Sequence, residues 1–212
     1  MARPRTFITL VAGLLAVSLG INTLFAIRTF YPQIWRQAQL ALVPSPTARI
    51  DDHARGKTDA KVVMIDYSDF QCPLCEQLHQ HMEKLVAESN TRWIFRHYPV
   101  TRWHPQARPA AEAAECAGEQ HRFWDYAHEV FANQRFLTDS LFLSMAAQLK
   151  LDLVAFEECR DQQRYADVVD RHLAEGKQLL FTGTPTLFIN GERIDGLLSY
   201  EQLLATVRRL GG

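Results

Sequence analysis

Cysteine is scarce in this chain, excess charge is missing, and no internal repeat or low-complexity tract can be found. A formal net charge of -1 leaves no global basic field to argue for nucleic acid. A composition of 47% hydrophobic and 22% charged residues excludes a largely disordered chain. Of the four cysteines, Cys116 and Cys159 stand alone, and Cys72 and Cys75 share a single C-x-x-C in "SDFQCPLCEQL". The residue after that pair is Glu76, which excludes the C-x-x-C-H of c-type haem attachment. No second pair completes a four-thiolate zinc site. "HE" at His128–Glu129 meets Ala132 rather than a second zinc-ligating histidine.

What is present begins with a long uncharged run. Arg3 and Arg5 precede "FITLVAGLLAVSLGINTLFAI", Phe7 to Ile27, and Arg28 ends it. A bilayer core takes about 20 apolar residues in a helix, whereas the apolar part of a cleaved signal holds about 7–15. The length therefore favours an uncleaved transmembrane signal-anchor over residues 1–30. Small residues at Ala16, Ser18 and Gly20 leave cleavage near Gly20 open as the alternative. Tyr31 and Trp35 suit the headgroup layer, and the leading arginines place the N-terminus in the cytoplasm. On either reading the remainder is exported, to a compartment that permits disulfides. Residues 31–58 read as a stalk or linker, with a short amphipathic helix in "YPQIWRQAQLALV" and a Pro- and charge-rich tract after it.

From residue 59 the pattern is that of an α/β domain. "KVVMIDY" is apolar and β-branched, as a buried strand requires. Leu74, Leu78, Met82, Leu85 and Val86 follow at helical spacing, and "RWIFRHY" makes a second strand, so a βαβ unit with parallel pairing is expected. Residues from about 104 to 180 carry helix signals and no convincing strand, with Asp152 and an Asp/Ser pair as start signals. Strands return at "PTLFI", turn at Asn190-Gly191 into "ERIDG", and give way to a final helix capped by Ser199.

The cysteine pair thus sits where a strand hands over to a helix. A helix N-terminus directs unpaired N–H groups and a positive dipole end at its first residues, which lowers the pKa of a thiol there. Pro73 occupies the first turn, where its missing N–H costs nothing. This makes Cys72 the exposed thiolate and Cys75, one turn deeper, the resolving thiol. As a staple the pair would be weak, because it closes a very short loop. A soft-metal site built from Cys72, Cys75 and His79 is a further alternative, and it is short of ligands. Asp66, on the preceding strand, is either solvated at the strand end or a proton relay for Cys75.

"VVMIDYSDFQCPLC" and "GTPTLFINGERIDG", separated by a helical stretch with "AAECAGEQHRFWDYAHEVFANQ", resemble the DsbA-like branch of the thioredoxin superfamily in its membrane-tethered bacterial form. The resemblance covers about residues 60–210. It implies a thioredoxin-like fold with an inserted helical domain over the active site. It also implies Cys72 as nucleophile with Cys75 as its partner, and a cis Thr184–Pro185 bond facing them, with the Thr184 backbone pairing to an extended substrate. It matches Asp66 to a buried acid beneath the cysteines, which favours the relay. Between the cysteines this chain has Pro73-Leu74 where the strongest oxidants of the family have Pro-His. A less acidic Cys72 and a less oxidising disulfide are the expected result.

Cys116 and Cys159 are either two buried free thiols or, as the compartment favours, a structural disulfide across the insertion. The expectation is an extracytoplasmic protein thiol:disulfide oxidoreductase on a bacterial inner membrane. Its partners are exported proteins with cysteines, a membrane redox partner that recycles the pair, and the membrane through residues 7–27, with no nucleic acid. The pair is itself the redox group, so neither a bound cofactor nor a metal is called for. A disulfide isomerase or reductase of the same fold, or a tethered soft-metal-binding or holdase module, are the alternatives.

Overall fold

The computed structural model describes residues 28–29, 31–32 and 44–211. The segment expected to span the membrane lies outside these residues, as does most of the expected stalk helix. Among the described residues no helix is long and apolar enough to cross a membrane.

The chain from Ser45 onward builds around β2, Val62–Ser68, which is buried along nearly its whole length. Such a run has no polar face to offer solvent, so it takes the centre of a sheet covered on both sides. Helix α1, Pro73–Glu88, carries the chain to β3, Thr91–His97, which pairs parallel to β2 in the register Asp66 to Phe95. Leu78, Met82 and Leu85 form the buried stripe of α1. After the helical region, β4, Thr186–Ile189, pairs antiparallel to β2, and the Asn190-Gly191 turn leads into β5, Glu192–Asp195. Both turn residues have positive φ, 48° and 87°, the conformation that two-residue hairpins require.

The sheet has one strand that its sequence did not advertise. Residues 53–58 belong to the expected linker, yet β1, His53–Gly56, pairs antiparallel to the outer side of β3. The sheet order among the described residues is therefore β1-β3-β2-β4-β5. The linker reading of 45–58 is corrected here, and the reason is polar. Arg96 on β3 is fully buried and holds the incoming segment through Asp52 (2.8 and 2.7 Å) and the Thr47 carbonyl (2.6 Å), with Tyr67 and Glu175 completing its shell. A buried guanidinium stripped of such partners would be costly, so the segment and the strand specify one another. Glu115 makes a second tie, reaching His53 on β1 and His97 on β3, each at 2.8 Å. Burial opposes ionisation of Glu115, but those two imidazoles outweigh it and hold the carboxyl well below its usual range.

The helical region runs through α2 (Ala107–Glu119), α3 (Phe123–Ala132), α4 (Asp139–Gln148), α5 (Leu153–Asp161) and α6 (Ala166–Gln178), and α7 (Tyr200–Arg209) closes the chain. The buried face of α2 is mostly alanine, which lets neighbouring helices approach closely. Thr138 and Asp152 cap α4 and α5 through their side chains, and Ser199 with Gln202 forms a capping box on α7. Cys116 of α2 is bonded to Cys159 of α5 with a Cα–Cα separation of 5.8 Å, inside the limit for a bridge.

Candidate active site

Cys72 is the N-cap of α1 and Pro73 its first residue. Cys72 retains 7% exposure, whereas Cys75, one turn on, has none, and both are free thiols. The geometry separates their chemistry. The hydrogen bond from the Cys75 side chain, helped by the Thr184 side chain and the first N–H groups of the helix, outweighs burial and brings the Cys72 thiol down from about 9 to about 6. Cys75 is driven well above its ordinary value, first by burial and then by the Cys72 thiolate beside it. One sulfur is held as an anion and the other as its proton-bearing partner.

The Thr184–Pro185 bond is cis. Cys72 Sγ lies 3.5 Å from the Thr184 carbonyl, so the loop that precedes β4 faces the first cysteine. Asp66 is buried rather than solvated at the strand end. Its Oδ1 accepts from Ser68 at 2.7 Å, while Oδ2 reaches no hydrogen bond of good geometry. Burial pushes its carboxyl up to about 7, with the Ser68 bond opposing and the Cys72 charge adding to the rise. A carboxyl that titrates near neutrality, under electrostatic influence from both cysteines, has the acidity a proton relay needs.

His79 does not join the cysteines. It is packed among Trp93, Phe131 and His128, and burial, with the charge of His128 next, takes its imidazole down to about 3. Among the described residues no group of three His, Cys, Asp or Glu side chains is placed to hold a metal ion, so the soft-metal alternative finds no site there.

Sequence reasoning missed Asp69. Read as part of a turn, it is in fact a buried carboxylate at the hub of the active-site loop. Oδ1 accepts from Gln71 N at 2.7 Å. Oδ2 accepts from Val100 N at 2.7 Å and from His104 Nδ1 at 2.8 Å. The available signal was the spacing to Gln71, since Asp side chains commonly bond the backbone two residues on. Its long-range partners left no trace in the local pattern. Beside the loop, a shallow groove is lined by Pro73, Glu76, Phe131, Gln134, Arg135 and Phe136. Leu74 and Phe136 are exposed at 43% and 73%.

A parallel β2–α1–β3 core, an antiparallel β4–β5 hairpin, a dithiol at a helix start and a cis-proline loop facing it together define a thioredoxin-fold protein with a helical insertion. The thioredoxin family model matches residues 48–209, and the chain belongs to that family. The Na(+)/H(+) antiporter NhaA 1 of Salinispora arenicola is 38% identical over 157 residues, covering 74% of this chain and 24% of that protein. The Na(+)/H(+) antiporter NhaA of Herminiimonas arsenicoxydans is 32% identical over 174 residues, 81% of this chain and 27% of its own length. The chain thus spans about a quarter of the length of these curated relatives. Among solved structures, oxidised BdbD from Bacillus subtilis superposes with a TM-score of 0.69 at 22% identity, over 80% of this chain and 99% of that one. The thiol-disulfide exchange protein α-DsbA2 from Wolbachia pipientis gives 0.68 at 18% identity, over 76% and 88%. These likenesses establish the DsbA-like variant of the fold.

Proposed function

We propose that this domain is a protein thiol:disulfide oxidoreductase that exchanges the Cys72–Cys75 pair with cysteine-containing polypeptides outside the cytoplasm. The observation that carries the proposal is the geometry of the pair: Cys72 at the start of α1 faces the Thr184 carbonyl of the cis-proline loop, and Cys75 lies buried one turn behind it. In the oxidising direction a substrate thiolate attacks Cys72 Sγ, the Cys72–Cys75 bond breaks, and Cys75 leaves with the electron pair. Asp66 then supplies its proton. A second substrate thiolate attacks the substrate sulfur of the mixed disulfide and expels the Cys72 thiolate. The substrate loses two electrons and gains a disulfide, and the enzyme is left as the dithiol. Run in reverse, the same steps reduce a substrate disulfide, as the isomerase or reductase alternative requires.

The carbonyl at Thr184 faces Cys72, which suits main-chain pairing with an extended substrate, and the exposed apolar side chains of Leu74 and Phe136 suit unfolded chain. The Cys116–Cys159 bridge and the uncharged N-terminal run support an exported, membrane-anchored setting. A membrane redox partner would then reset the pair. The test is catalysis of insulin reduction or of oxidative refolding of a reduced protein. Cys72→Ser abolishes it, and Cys75→Ser accumulates mixed disulfides with exported proteins. Undiminished rates in Cys72→Ser would sink the assignment.

A further inference from the structure

We propose that the Asp69 main-chain N–H is the group that receives the departing Cys75 sulfur, and that the Asp69 carboxylate and His104 position it. The inference rests on the exchange reaction proposed above and concerns its first step only. Asp69 N donates to Cys75 Sγ across 3.4 Å, a direct contact with a reacting atom. A backbone donor is useful there only if the backbone is held, and Asp69 is held from three directions. Gln71 N, Val100 N and His104 Nδ1 all donate to its carboxylate at 2.7 to 2.8 Å. Gln71 is tied in turn, its Oε1 accepting from Gln106 N at 2.5 Å. The loop carrying the dithiol is therefore bolted to the segment that enters the helical insertion.

The chemistry asks for such a donor. When a substrate thiolate attacks Cys72 Sγ, negative charge appears on Cys75 Sγ, which has no exposed surface. A fixed N–H aimed at a developing anion stabilises the transition state without reorganisation. Asp66 later supplies the proton that makes the sulfur a thiol. Cys72, the leaving group of the second step, is stabilised by other donors, namely the Cys75 side chain, Thr184 and the helix N–H groups. Asp69 and His104 thus act on one step and not the other.

His104 is the residue to vary, because its side chain is 23% exposed while Asp69 is buried. The readout is the reaction of the oxidised protein with reduced glutathione, in which Cys75 leaves. It is compared with attack of a second reduced glutathione on the glutathione sulfur of the Cys72 mixed disulfide in a Cys75→Ala background, which forms oxidised glutathione and expels Cys72. We expect His104→Ala to slow the first reaction about fivefold, a little under 1 kcal/mol of hydrogen-bond positioning, and to leave the second within twofold. His104→Asn, whose amide can donate to Asp69 as Nδ1 does, restores the first. Equal slowing of both reactions, or no recovery with Asn, would show a merely structural residue and overturn the inference. A parent protein that forms no mixed disulfide with glutathione would overturn the exchange reading, and this inference with it. Normal exchange in the parent with an unchanged first step in His104→Ala would overturn the inference alone.

Discussion

The acidity of Cys72 is open to a direct measurement whose sign the structure fixes. Thiolate absorbance of the reduced protein should titrate with a midpoint near 6, as against about 9 for an ordinary thiol in the same terms. At pH 7 a midpoint of 6 gives about 90% thiolate and a midpoint of 9 about 1%. Lower basicity also lowers intrinsic nucleophilicity, by about 0.4–0.5 log units per pKa unit, so each thiolate is some twentyfold less reactive. The two effects leave Cys72 only about fourfold faster than an ordinary thiol toward iodoacetamide at pH 7, but about fortyfold faster at pH 5. Alkylation at pH 5 is therefore the sharper assay. The largest cause of the depression is the hydrogen bond from Cys75. Removing it with Cys75→Ala should raise the midpoint by about 1–2 units, the worth of a hydrogen bond to a charged group, while Cys75→Ser keeps a donor and raises it less. Stability must follow the same curve. Because the folded pKa is depressed, the thiolate contribution is fully present above about pH 9 and lost as pH falls through 6. A parent midpoint above 8, or a Cys75→Ala midpoint equal to the parent's, would refute the electrostatic account.

Other outcomes are equally specific. Asp66 has a raised folded pKa of about 7, so its favourable state is neutral and stability drains away as pH rises through 7. The stability of Asp66→Asn relative to the parent, read by urea unfolding, should grow by roughly 3–4 kcal/mol from pH 4 to pH 8, with slower exchange in the variant. Replacing Cys116 and Cys159 by alanine opens a loop of 43 residues and should cost about 3–4 kcal/mol of unfolding free energy, leaving Cys72 reactivity at pH 5 unchanged. Arg96→Leu strands Asp52 and should cost about 3–5 kcal/mol, with new protease cleavage before His53 that the parent resists. A cleavage pattern like the parent's would mean that the 45–52 segment is held by something else.

The sequence made the βαβ unit and the dithiol at its helix start legible because both are local. Val62 to Ile65 are apolar in succession, and Cys72-Pro73 marks a helix entry in any context. The cis Thr184–Pro185 bond and the facing of that loop onto Cys72 came through family resemblance alone, since 112 residues separate the two. β1 was hidden because "HARG" has neither alternation nor apolar content, and its place is set by Arg96, 44 residues from Asp52. Asp69 was hidden for a related reason. An acid in a turn normally faces water, and only the approach of Val100 and His104 makes this one interior. Polar interactions between distant residues carry no period, so pattern reading passes over them.

The Ser45 hydroxyl donates to the Gly191 carbonyl at 2.9 Å, which fixes where the polypeptide joins the domain. Gly191 turns the chain beside Val63, at the beginning of β2, whereas the dithiol lies past the end of that strand. At about 3.3 Å per residue the seven residues of β2 put some 20 Å of sheet between the point of entry and the reactive sulfurs. Ser45, the first residue of this compact unit, is thus held at the end of the sheet remote from the reactive sulfurs.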